Sequence, residues 1–171
     1  MAVAEQNIFK DTVRTIFLPI ANENRAVGFN ANWDMGATWA VMAMAVLLDD
    51  KALFDEQIAW LKDGETNARI SYYLLESGQN QETARDQGHA AMGLTFLSLA
   101  AQTAWTQGID LYEYDNRSVA KAFEYFAAYN LGEDHLPFQV YPCAVGSNSA
   151  HDFNTAISSI GRPTYHEVYE M

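Results

Sequence analysis

Residues 32–48 read NWDMGATWAVMAMAVLL. Past Asp34 no charged side chain interrupts the run, and its apolar residues do not keep to one face at the 3.6-residue period. A helix without a polar face is buried on all sides. The segment therefore predicts an inner helix, one that other helices must wrap. Directly after it comes DDKALFDEQIAWLKDG, residues 49–64. Here Asp50 is a good N-cap, charges alternate with Leu53, Ile58, Trp60 and Leu61, and Gly64 is a natural stop. That is an amphipathic, half-exposed helix.

The same order recurs further along. Residues 84–106 predict a second apolar helix. DNRSVAKAFEYFAAYNLG, residues 115–132, predicts a second amphipathic one, capped by Asp115 or Asn116 and stopped at Gly132. A buried helix followed by a surface helix thus appears twice, a weak internal repeat. Inner helices wrapped by outer ones satisfy this pattern with the fewest layers. An all-α fold of α/α-toroid type fits better than a four-helix bundle, in which each helix keeps one wet face. An earlier helix is expected over residues 5–19, ending near Pro19. Between the helices, residues 63–82 and 133–154 are long connectors, of a length that is usually functional or mobile. ISYYLL, residues 70–75, allows a short strand.

Composition narrows the function. The chain has 171 residues, enough for one domain with a real core. Its net charge is −12 with only 10 Lys and Arg, which argues against binding nucleic acid or an anionic membrane. Any anionic substrate must be held by a few local cations against that field. The single cysteine, Cys143, excludes an internal disulfide and a thiolate zinc site, and reads as a small buried apolar residue. The N-terminus has no signal-peptide pattern, and the longest apolar run is too short to span a bilayer. His135, His151 and His166 lie in or near loops without the spacing of metal ligands, so no metal or cofactor is expected.

The chemistry-bearing stretch is QNQETARDQGHAAMGLTFLSLAAQTAW, residues 79–105. Its first half crowds polar groups ahead of an apolar body. Arg85 and His89 stand four residues apart, and Asp86 three from His89. Polar groups at such a helix start belong at the rim of the helix layer, where they need not be deeply buried. They read either as an ion-pair and capping cluster or as the floor of a cleft. Asn32 likewise is either an N-cap, a role Asn30 could also take, or an amide aimed at a ligand carboxylate from the same rim. Tyr141, held extended by the following Pro142, either packs under its loop or acts in a site.

Three segments, NANWDMGATWAVMAMAVLLDD, SGQNQETARDQGHAAMGLTFLSLAAQTAWTQGIDLY and DNRSVAKAFEYFAAYNLGED, resemble the alginate lyase domain family of polysaccharide lyases. The most specific motif is G-Q-x-Q-E-x-x-R-D-Q-x-H followed by an apolar helix ending in G-x-D-L-Y. The resemblance spans about residues 28–169 and implies an α/α-toroid catalytic domain. Such domains are usually roughly twice this long, so residues 1–171 are expected to form a single, incomplete toroid. Exposed inner-helix surface then predicts self-association, or a companion chain that completes the ring.

The resemblance also implies β-elimination on a uronic-acid polysaccharide such as alginate or glucuronan, and an extracellular or periplasmic setting. By motif position Asn32 is implied as the carboxylate neutraliser, and His89 as its partner or the general base. Tyr141 is implied as the acid, or as acid and base together. Arg85 and Gln87 are expected to bind substrate or to buttress His89, with Arg162 a more remote binder. Tyr72 and Tyr73 either stack on sugar rings or pack within their loop. Two rivals are kept: an α/α-toroid glycoside hydrolase, which needs two opposed carboxylates, drawn from Asp34, Glu82 and Asp86; and a non-catalytic carbohydrate-binding remnant.

Overall fold

A computed structural model describes residues 2–23, 31–140 and 156–163. Tyr141, Cys143, His151 and His166 lie outside the described residues. Helices α1 (Val3–Thr12) and α2 (Leu18–Glu23) flank a π-helical turn at Val13–Phe17, and α3 (Ala31–Leu48) follows. Next come α4 (Lys51–Asp63), the single turn α5 (Ile70–Tyr73), α6 (Gln87–Thr106) and α7 (Tyr114–Asn130). The fold is all-α. Among the described residues the only β pairing is an isolated antiparallel bridge between Leu74 and Asn80. Residues 70–73, where a strand was allowed, instead make one helical turn that leads into that bridge.

Helix α3 packs chiefly against α6 and α4, and α6 also meets α7. The core joins Met35, Met42 and Ala45 of α3 to Leu94, Leu97, Ala100, Ala101 and Ala104 of α6, with Phe54, Ile58 and Leu61 supplied by α4. Alanines at the α3–α6 contact let the two backbones approach. Each fully buried Leu or Met contributes about 1.5–3 kcal/mol relative to its exposed state. Asp50 caps α4, accepting from the Leu53 N–H at 3.0 Å.

Four expectations are revised. Helix α3 is not covered on every side: Trp33, Val46 and Leu47 are exposed, because α6 and α4 cover only part of its circumference. The first helix passes Pro19. The π turn just before it already breaks the i→i−4 ladder, so the missing proline N–H costs little there. Asp115 and Asn116 do not cap α7; with Arg117 they form a left-handed turn (φ 50 to 60°) inside its first residues. Finally, α6 begins at Gln87 rather than near residue 84, and the polar stretch before it lies deep, not at the rim.

That depth has a cause. Gln79, Asn80, Gln81, Glu82 and Thr83 are all buried, and long amide side chains give the loops around them hydrogen bonds that water cannot supply. Gln79 exchanges two bonds with the Gln139 backbone, at 2.7 and 2.9 Å. Gln81 donates to the Tyr72 carbonyl at 2.7 Å, and Asn80 to the Ala90 carbonyl at 3.3 Å. The segment is a polar plug that ties three connectors to the start of α6.

Candidate active site

Asp86 is the N-cap of α6, with extended backbone and one carboxylate oxygen accepting from the His89 N–H at 2.8 Å. Its other oxygen lies 2.6 Å from His89 Nδ1. Burial pushes the Asp86 carboxyl up. The hydrogen bonds from the His89 backbone and ring, with the charges of His89 and Arg85, outweigh this and hold it below the usual carboxylate range. The D-x-x-H spacing thus fixes a backbone and a ring with one side chain. His89 keeps about a third of its side chain exposed (35%).

Asn32, in the first turn of α3, reaches across to the same point. Its Nδ2 donates to the His89 carbonyl at 3.0 Å, and its Oδ1 lies 3.5 Å from the Tyr73 hydroxyl. Asn32 is 2% exposed. Its amide therefore clamps α3 to α6 at the level of His89.

Both residues line one groove of about 860 Å³ between α2, α3 and α6. Its walls are otherwise apolar and aromatic, with Phe17 and Ile20 on one side and Trp33, Met92 and Phe96 on the other. Trp33 is 58% exposed, and Trp39 stacks on Phe96 with centroids 6.1 Å apart. Sequence reading missed Trp33 as a site residue because helical periodicity assigns it to the core. Its place directly after Asn32 was the signal that would have found it.

Of the residues singled out from sequence, the structure brings Asn32 and His89 together; Tyr141 lies outside the described residues, and Arg85, Gln87, Arg162, Tyr72 and Tyr73 make other contacts. Arg85 lies beside the site, between the buried Glu82 (3.5 Å) and Asp86 (4.0 Å). Gln87 is buried. Its side chain donates to the Ser158 carbonyl at 2.8 Å and accepts from Asn130 Nδ2 at 2.9 Å, while its backbone N–H donates to the Ile160 carbonyl at 2.8 Å. Arg162 donates to the Tyr129 carbonyl at 2.7 Å, stacks on the Tyr129 ring at 4.1 Å and pairs with Asp134. Tyr72 is half-buried under the Arg69 guanidinium, 3.8 Å from its ring centre, and Tyr73 is fully buried. Neither tyrosine lines the groove.

Among the described residues no three His, Cys, Asp or Glu side chains gather as metal ligands, and no helix is long and apolar enough to cross a membrane. The family model described as alginate lyase matches residues 10–136. No curated protein and no solved structure matches the chain.

Proposed function

The chain belongs to the alginate lyase family, and from that premise we propose that it cleaves a uronic-acid polysaccharide, of alginate or glucuronan type, by β-elimination in the α3–α6 groove. The observation that carries this reading is the meeting of His89 and Asn32 at one groove, with the imidazole held by a carboxylate behind it.

The chemistry asks for three things. The C5 hydrogen of a uronate lies next to a carboxylate and is poorly acidic, so the charge that builds on that carboxylate must be stabilised. A base must take the hydrogen, and an acid must protonate the departing glycosidic oxygen. His89 lines the groove and is the proposed base. Asn32 Nδ2 carries a second hydrogen beyond the one given to the His89 carbonyl, and that hydrogen is the proposed donor to the substrate carboxylate. Tyr141 is the proposed acid, on the family resemblance. Trp33, rather than Tyr72 or Tyr73, offers an aromatic face to the apolar side of a sugar ring. An extracellular or periplasmic setting is part of the same proposal.

A hydrolase needs two carboxylates flanking the scissile bond. Asp34 accepts from the Ala68 N–H at 2.6 Å, Glu82 is buried against Arg85, and Asp86 is engaged by His89. None of the three lines the groove.

The test is incubation of the full chain with a panel of uronans, including alginate and glucuronan, while ultraviolet absorbance is followed for the unsaturated uronate that only elimination yields. Turnover on at least one polymer is expected. His89→Ala should lower it by about 10²-fold or more, with the helical circular dichroism unchanged. Binding of the polymers without any unsaturated product would favour the carbohydrate-binding reading instead.

A further inference from the structure

We infer that Asp86 is a positioning residue for the elimination: its carboxylate fixes the His89 imidazole in the tautomer that carries hydrogen on Nδ1, and so turns a bare Nε2 toward the groove. The argument begins with what an N-cap requires. Ser, Thr and Asn cap a helix about as well as Asp. Only a carboxylate has a second oxygen that accepts and cannot donate. In Asp86 one oxygen holds the His89 backbone at 2.8 Å and the other its Nδ1 at 2.6 Å. Since that oxygen accepts, Nδ1 must supply the hydrogen, and the partner of one ring nitrogen decides the state of the other.

The surroundings reinforce this. Arg85 lies 4.0 Å from the same carboxylate oxygen and keeps it in the ionised, accepting form, with Glu82 behind Arg85 at 3.5 Å. The groove residues that α3 contributes, Asn32 and Trp33 among them, are all neutral, and Asp34 is turned to the Ala68 N–H. His89 is further pinned through its carbonyl by Asn32. Ring and backbone are thus held from two sides.

The tautomer chooses between the two roles that the family resemblance leaves open for His89. A neutral imidazole with hydrogen on Nδ1 cannot donate to a substrate carboxylate from Nε2, but it can take a proton there. Nε2 then accepts the C5 hydrogen as a proton. The C5–H electron pair becomes the second bond between C4 and C5, and the bond from C4 to the glycosidic oxygen breaks. That oxygen leaves as a hydroxyl once the acid protonates it. The resulting imidazolium is paired with Asp86.

The role in turnover rests on the lyase reading; the tautomer does not, and the experiment separates them. Full-length chain with ¹⁵N-labelled histidine is examined by long-range ¹H–¹⁵N correlation at neutral pH, with His89 assigned by its loss in His89→Gln. Wild type should show hydrogen on Nδ1. Asp86→Asn keeps a capping oxygen but offers Nδ1 an N–H, and should move the hydrogen to Nε2. Its kcat should fall by roughly 10²- to 10⁴-fold with little change in KM. In a Ser-His-Asp triad the same exchange lowers turnover about 10⁴-fold while the geometry survives. Asp86→Ser, which caps without reaching the ring, should show a mixture of tautomers and an intermediate kcat, and it serves if the amide variant does not fold. Hydrogen on Nε2 in wild type overturns the inference. So does an Asp86→Asn enzyme that switches tautomer and keeps its kcat. If no uronan is cleaved, the lyase reading falls, and the wild-type tautomer alone decides the positioning claim.

Discussion

Gly93 stands one helical turn beyond His89, and a Cβ built there would lie 1.7 Å from the Tyr73 hydroxyl and 2.3 Å from Asn32 Oδ1. Glycine inside a helix normally costs about 1 kcal/mol relative to alanine. Here the missing side chain makes room for the Tyr73–Asn32 pair that sets the position of the His89 carbonyl. Gly93→Ala is therefore expected to lose about 1–3 kcal/mol through overpacking, rather than gain about 1. It should also lower turnover per folded molecule, because Asn32 must move. Urea unfolding followed by rate measurement at matched folded fraction checks both; an alanine variant more stable than wild type would refute the packing argument. At this scale the sequence was partly legible. The D-x-x-H and Asn32 positions stood out through their polar setting. The Tyr73–Asn32–Gly93 contact did not, since tertiary placement alone joins these residues, Asn32 and Tyr73 standing 41 apart.

Helix α6 was legible as an element and its start was not. Apolar periodicity finds the body of a helix, whereas its first residue depends on which side chain supplies the cap. Here Asp86 supplies it, and the preceding polar residues turn inward to serve loops. The same limit explains α7, whose expected caps lie in a left-handed turn that no apolar period records. Gln87 shows the consequence for function. The motif marks it as a candidate substrate binder, yet its side chain bonds Ser158 and Asn130 and holds residues 156–163 against α6 and α7. Gln87→Ala should cost about 1–3 kcal/mol, because Asn130 and the Ser158 carbonyl lose a buried partner. It should also make the 156–163 segment easier to cleave by protease, and leave KM nearly unchanged. Thermal melts, limited proteolysis and uronan kinetics on one preparation decide it. A large rise in KM with unaltered stability would return Gln87 to the substrate.

At the scale of the molecule, two terms oppose each other. The net charge of −12 drives copies apart. The first helix is expected to draw them together, for Ile8, Phe9 and Ile16 are exposed to 68, 47 and 51% and none of them lines the groove. Exposed apolar side chains grouped in this way are expected to form a contact surface. Helical periodicity in the apolar and amphipathic stretches made the all-α class readable from sequence. Which inner surfaces remain uncovered was not readable, because periodicity records a helix's own faces and not the neighbours that meet them. The repulsion is screened by salt, with a Debye length near 10 Å at about 0.1 M and roughly 3 Å at 1 M, while apolar attraction is not. Self-association should therefore strengthen as salt rises, the reverse of a charge-paired interface. The double substitution Ile8→Glu with Phe9→Glu should leave a monomer at every salt concentration, and turnover per chain should not change, since the groove is untouched. Sedimentation velocity across protein and salt concentrations tests this. A wild-type chain that stays monomeric at high salt, or that associates less as salt rises, would mean the first helix is not the contact surface.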